Sequence, residues 1–294
     1  MLAFKRRSVF VTRFLCRLPG GSQPILAEAS DGKYYVVKFA DNLQGQNLSF
    51  NEAAGTELYR AYSLPVASWQ PLLVTYNFLD RNRACWIQTP EGLHRPTRGL
   101  CFGSRYIGHE CRRVFEILPG SYIQRVTKTE DFWLAWLIDI CAAHTDNRQA
   151  IFLEQKLREL NAVFIDFGHM FGGANGNTVP HYRASRYCDA RIYAQPTSDM
   201  LLLVRKRAAS LDTGKLWGQL TSTPSEWKKA SAVKALAACL NRIKDSWFVE
   251  RSLQTMADSL RPGVSDEVIP GTTGLPPASI LRSGLQAADR LAVA

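Results

Sequence analysis

A chain of 294 residues, 46% hydrophobic and 21% charged, can bury one large core or two lobes with a shared cleft, which sets it apart from a disordered polypeptide. Its formal net charge of +10 favours acidic partners such as nucleotide phosphates, nucleic acid or anionic proteins, without choosing among them. Seven cysteines with no Cys-x-x-Cys pair argue against a zinc site or a disulfide framework and for a reducing, cytoplasmic setting.

Lys5-Arg6-Arg7 is not followed by the apolar core and cleavage site of a signal peptide. Residues 8 to 39 then read as three strands, at Val9 to Leu18, Pro24 to Ala27 and Tyr34 to Phe39. Pro19-Gly20-Gly21-Ser22 makes the first turn and Ser30-Asp31-Gly32-Lys33 the second. A helix follows, for which Ser49 and Glu52 form a capping box, with Ala53, Ala54, Leu58 and Ala61 on one face and Leu64-Pro65 as its stop. Pro71 to Val74 and Ala84 to Ile87 read as strands around a turn at Asp80 to Arg83. Glycines in Gly99 to Ser104 suit a connector.

The second half reads mainly helical. Thr129 caps a helix from Glu130 to Ala143. The longest apolar run, within that helix, is too short to span a bilayer and is interrupted by Asp139, so it predicts a buried helix and no membrane segment. Thr223-Pro224-Ser225-Glu226 starts another, with Pro at the first helical position. The expected division is an N-terminal lobe over 1–98, a hinge over 99–108, a C-terminal lobe over 109–262 and a loosely held tail over 263–294, within which 278–291 could form a short helix.

Three charged positions stand out. Lys38 lies in the strand-like run Tyr34-Tyr35-Val36-Val37-Lys38-Phe39, where its amine can reach nucleotide phosphates or simply lie along an exposed strand. Asp146 lies in the polar run His144-Thr145-Asp146-Asn147-Arg148-Gln149 at a helix end, placed to accept a proton from a hydroxyl or to cap the next turn. Asp166, twenty positions later, follows a short apolar strand and opens Asp166-Phe167-Gly168, a carboxylate suited to Mg²⁺. Lysine on an early strand, a loop carboxylate and a metal-binding Asp-Phe-Gly follow one another in the order used for phosphoryl transfer by protein kinases.

Around them, Glu52 is a candidate to pair with Lys38, with Glu57 as competitor and helix capping as its other role. Gln149 and Asn147 are candidates for a second metal ligand, because the position five residues after Asp146, where kinases carry Asn, is Ile151. Gly20, Gly21 and Ser22 form either a phosphate-covering loop or a plain hairpin turn. Tyr182-Arg183, Arg186-Tyr187, Arg191 and Tyr193 make a basic aromatic stretch that could hold an acidic partner or stack bases, or form a solvated surface with half-buried tyrosines. His144 and His169 read as loop-packing groups.

The segments Asp31 to Phe39, Asn51-Glu52, Phe102-Gly103-Ser104, Asp146 to Phe152 and Phe164 to Gly168 resemble the HipA-like kinases, in particular a short stand-alone bacterial branch. In that branch the catalytic loop has the form Asp-x-Arg-Gln-x-x-Phe, which accounts for Gln149. The resemblance implies an α+β, two-lobed protein-kinase-like fold. Its small N-terminal lobe is an antiparallel sheet with one helix, and its C-terminal lobe is mainly helical. It further implies ATP and Mg²⁺ as cofactors, with Lys38 on the phosphates, Asp146 as base and Asp166 and Gln149 on the metal. Known members of the family phosphorylate serine or threonine on proteins and pair with a DNA-binding antitoxin. For this chain a protein substrate is expected and an antitoxin-like partner stays open.

Two other classes compete. A pseudokinase or nucleotide-binding scaffold fits the Ile151 position and the poor glycine loop. A basic nucleic-acid-binding protein fits the charge, but no reading motif supports direct nucleic-acid binding.

Overall fold

The structure is a computed structural model, and it describes residues 8–108, 113–155, 158–173, 179–180, 185–193, 197–220 and 223–260. The expected tail with its short helix, His109, His181 and the Tyr182-Arg183 pair lie outside the described residues.

Strands β1 (Val11–Arg17), β2 (Ile25–Ala29) and β3 (Tyr34–Lys38) form an antiparallel meander at the two turns expected from the sequence. In the second turn Asp31 accepts a hydrogen bond from the Lys33 amide at 3.1 Å and Gly32 takes φ +73°, a conformation that favours glycine. Helix α1 (Leu48–Ala61) follows, then β4 (Trp69–Val74), α2 (Tyr76–Arg81) and the hairpin of β5 (Ile87–Thr89) and β6 (Gly92–His94). The turn expected at Asp80 to Arg83 is thus the end of a helix, and Ala84 and Cys85 belong to a short 3₁₀ turn rather than a strand. Thr75 explains the helix, its hydroxyl accepting from the Phe78 amide, a short-range cap that a strand reading overlooks.

Strand β7 (Gly99–Arg105) stands where the glycines of Gly99 to Ser104 suggested a connector. It is inserted in the sheet order β1-β2-β3-β7-β4, antiparallel to both neighbours, with Lys38 opposite Phe102. The glycines serve the sheet instead of breaking it. A Cβ on Gly103 would come 2.3 Å from Leu72 Cδ1, so the position lets β4 pack closely. Alternation along β7 divides the core. Cys101 faces a cluster with Val37, Leu72 and Phe78, whereas Phe102 joins α1 and the helices of the second half.

The second half holds β8 (Val114–Phe115), α3 (Glu130–Cys141), the hairpin β9 (Gln149–Glu154) and β10 (Leu160–Ile165), and helices α4 (Ser198–Ala209), α5 (Thr213–Leu220), α6 (Ala230–Lys244) and α7 (Ser246–Asp258). Helix α3 is buried along its length from Asp131, as its apolar run predicts. The start expected at Thr223-Pro224 is a 3₁₀ turn over Ser225–Trp227, and α6 begins only at Ala230. Asp245 then caps α7, its carboxylate accepting from the Trp247 and Phe248 amides. Tyr187 and Tyr193 are buried against Phe132, which removes them from a base-stacking surface.

Helix α1 is the piece shared by the two halves. Phe50, Ala53, Ala54, Leu58 and Tyr59 are buried in the same cluster as Phe132, Trp136, Phe164 and Phe167. Its close approach depends on Gly55, where a Cβ would lie 2.5 Å from Phe167 Cβ and 2.7 Å from Met170 Sδ. Gly55→Ala is expected to destabilise the protein by about 1–3 kcal/mol through overpacking, although alanine is the better helix former. Urea denaturation checks this, and an unchanged or higher midpoint contradicts it.

Candidate active site

Lys38 ends β3 and points toward α1, with its side chain 8% exposed. Its Nζ donates to Glu52 Oε1 and, at 2.8 Å, to Asp166 Oδ1. Glu52 is 3% exposed, and its other oxygen accepts from the Phe167 amide at 3.2 Å. The capping box expected at Ser49 does not form. Asn47 is the N-cap residue, Ser49 lies inside the helix, and its hydroxyl has no partner. That shift of the helix start frees Glu52 to face β3. Glu57, the competitor, is engaged elsewhere by Arg60 and by Trp69 Nε1 at 2.7 Å.

The charges set one another. Burial by itself would lower the Lys38 pKa, but the charges of Asp166 and Glu52 raise it above its ordinary value. Burial pushes the Glu52 carboxyl up; Lys38 opposes this and the nearby Asp166 charge adds to it. Burial also pushes Asp166 up, but the charge and hydrogen bond of Lys38, followed by Arg148 and His169, hold it below the usual carboxylate range. Asp166 is therefore anionic at neutral pH, as a ligand for a hard cation must be.

Asp166 follows β10 directly and has φ +61°, a left-handed conformation in which Asp is among the better tolerated residues. Helix α1 holds the loop in place. Asn51 Nδ2 donates to the carbonyls of Gly168 at 3.0 Å and Met170 at 2.8 Å. Gly168 permits the approach, since a Cβ there would sit 2.9 Å from Leu48 Cδ1 and 3.1 Å from Glu52 Oε1.

Asp146 lies half-buried in the loop between α3 and β9, its Oδ1 accepting from the Asn147 amide at 2.7 Å. The Thr145 amide donates to the His169 carbonyl at 3.1 Å, so this loop and the Asp166 loop touch. Gln149 opens β9 and is exposed; its antiparallel partner is Ile165, which puts Gln149 beside Asp166. Asn147 is exposed, and Ile151 is paired with Val163 inside the hairpin.

The Gly20 carbonyl accepts from the Gln23 amide at 3.0 Å within its own turn, and Asn42 Nδ2 donates to the Ser22 carbonyl at 2.6 Å. Lys38, Glu52 and Asp166 thus meet where β3, α1 and the end of β10 converge, with Gln149 across the ladder from Ile165, while the glycine turn packs against the segment after β3. Sequence reasoning passed over Asn51, Asp139 and Arg148, which support this junction from within. Asn51 and Arg148 lie in the quoted motifs, and Asp139 interrupts an apolar run; each was a signal of a buried polar role.

Among the described residues no three His, Cys, Asp or Glu side chains group as a metal cage. One carboxylate and one amide oxygen instead suit Mg²⁺, which keeps waters and shares phosphate oxygens. Among the described residues no helix is long and apolar enough to cross a membrane.

Neither a protein-family model nor a curated protein matches this sequence. Among solved structures the chain is similar to the Helicobacter pylori proinflammatory kinase CtkA, at 14% identity and a TM-score of 0.51, over 85% of this chain and 97% of that one. The Golgi casein kinase is a looser match, at 12% identity and a TM-score of 0.48 over 86% of this chain and 75% of that one. Its form with Mn/ADP bound is looser still, at 11% and 0.35 over 86% and 73%. The CtkA likeness concerns the fold, and with the five-stranded N-terminal sheet and the helical second half it gives the chain a two-lobed, protein-kinase-like fold.

Two stability changes follow. Lys38→Met strands the Glu52 charge in the interior and is expected to cost about 3–5 kcal/mol; Lys38→Met with Glu52→Gln recovers part of it in thermal denaturation. The Asp166 carboxyl, lowered in the folded state, contributes stability that is full above its unfolded pKa of about 3.9 and is lost as pH falls through the folded value. Asp166→Asn therefore unfolds with a shallower dependence on pH below about 4, which acid titration followed by circular dichroism measures.

Proposed function

We propose that the protein is an ATP- and Mg²⁺-dependent kinase of HipA-like type that transfers the γ-phosphoryl group to a hydroxyl, serine or threonine of a protein being the acceptor. The observation that carries this reading is Lys38 held between Glu52 and Asp166. A cation oriented by a buried carboxylate, next to an anion kept ionised, is the arrangement that triphosphate and metal need together.

In this reading the Lys38 ammonium holds phosphate oxygens and Glu52 keeps it aimed. Asp166 and Gln149 would hold Mg²⁺, which when bound would supply charge neutralisation for the transferring phosphoryl group. Asp146 accepts the proton of the acceptor hydroxyl as its oxygen bonds to the γ-phosphorus, and the bond to the β–γ bridging oxygen breaks to release ADP. The 40–44 segment restrains the glycine turn, which covers the nucleotide without a phosphate-binding fingerprint. The lobe boundary follows β7, and free cysteines, most of them buried, suit the cytoplasm.

Ile151 at a position inside β9 favours one other reading, a nucleotide-binding scaffold without turnover. Transfer from γ-labelled ATP to the protein itself or to a general protein acceptor separates the two. Wild type is expected to label with Mg²⁺, and Asp166→Ala and Asp146→Ala to lose at least about 10²-fold. Equal labelling by all three rules out the kinase reading. Thermal stabilisation by Mg²⁺–ATP without labelling establishes the scaffold, at about 2.7 kcal/mol for ligand at a hundred times its dissociation constant.

A further inference from the structure

Arg148 is flanked by two exposed residues, Asn147 and Gln149, yet its own side chain is 0% exposed. Its guanidinium is engaged on every edge. Nε donates to Asp139 Oδ2 at 2.8 Å, Nη1 to the Ile165 carbonyl at 2.7 Å, and Nη2 lies 3.1 Å from His144 Nε2. Its carbon sits 4.7 Å from the ring centre of Phe167 and 5.2 Å from that of Tyr59. Asp139 is completed by the Tyr59 hydroxyl at 2.8 Å. One planar group therefore joins the loop of Asp146, helix α3, helix α1 and the last residue before Asp166.

Stability alone does not account for such a pair. A buried ion pair loses so much hydration that well-packed apolar residues of the same volume often do as well or better. What apolar residues cannot do is hold a carbonyl at a set point. Arg148 holds the carbonyl of Ile165 while being the chain neighbour of Gln149, and Ile165 is both the cross-strand partner of Gln149 and the chain neighbour of Asp166.

We propose that Arg148 is a positioning residue for the metal ligands, its guanidinium fixing the spacing between Gln149 and Asp166 from beneath the hairpin. This rests on the kinase reading of the site. It predicts a defect in metal use that is separable from folding.

The test uses the full chain with Mg²⁺ and ADP as probes, in wild type, in Arg148→Lys and in the double variant Arg148→Met with Asp139→Leu. The double variant removes both charges together, so it leaves no stranded ion. It is expected to fold with a melting temperature near wild type and to bind metal-free ADP within about twofold. Its half-saturating Mg²⁺ concentration rises, and its phosphoryl transfer falls, by about 10–100-fold, the range seen when groups that orient metal ligands are removed. Arg148→Lys, which keeps the charge and loses the fork, falls in between.

A folded double variant with wild-type Mg²⁺ dependence overturns the proposal. Failure of both variants to fold overturns it too, since Arg148 would then serve only the fold. A wild-type chain that shows no Mg²⁺-dependent ADP binding removes the kinase reading itself, and this inference with it.

Discussion

A lysine placed between two carboxylates in a site shielded from water organises the rest of the molecule. Burial opposes the charge on Lys38 and on Asp166; Asp166 and Glu52 hold Lys38 protonated, and Lys38, with Arg148 and His169, holds Asp166 ionised. Each group comes from a different element: β3, α1 and the end of β10. The contact can exist only if sheet, helix and hairpin arrive together, so electrostatics and packing constrain the same geometry. A broken pair would leave a buried charge, which is a larger loss than the intact pair is a gain.

Packing supplies that arrival through α1. Its buried face belongs to the core of the second half, so the helix travels with Phe164 and Phe167 rather than with the outer face of the sheet. Phe167 is wedged between the missing side chain of Gly55 and the ring of Tyr59, 4.8 Å away centre to centre. Asn51 and Glu52, successive residues one turn earlier, then bind the backbone of 167–170. A helix that both packs on a loop and hydrogen-bonds it leaves that loop little freedom. Here the loop is the one that carries Asp166, whose left-handed backbone needs such support.

Much of this was legible in the sequence, and the failures have physical causes. Lys38 and Asp166, each with the strand before it, were readable because a strand pattern followed by a charge is a local signal, whereas β9, which pairs with the second of those strands, was not. The helix over 48–61 was readable from its apolar spacing, but its start was not. Ser49-x-x-Glu52 satisfies the capping rule, yet the helix begins two residues earlier, with Asn47 as N-cap and Glu52 bound to Lys38, a tertiary contact that no local pattern carries. Glycines at 99 and 103 suggested a connector because glycine weakens a strand in isolation, whereas the need to let Leu72 approach is invisible without the neighbour. Arg148 looked like one more polar loop residue, since its neighbours on both sides are exposed. Nothing in a linear pattern reveals a side chain that turns inward between two that turn out.

The hairpin register also bears on the absent asparagine. In this chain β9 begins at Gln149, only three residues after Asp146, and the strand then advances about 3.3 Å per residue away from Asp166. Ile151 shares the strand face of Gln149 but lies about 7 Å further along it, opposite Val163. Position 151 is therefore set away from Asp166 along the strand. The β9 residue paired with the last residue before Asp166 is Gln149. Arg148, buried immediately before that strand start, donates to the carbonyl of Ile165, the residue paired with Gln149.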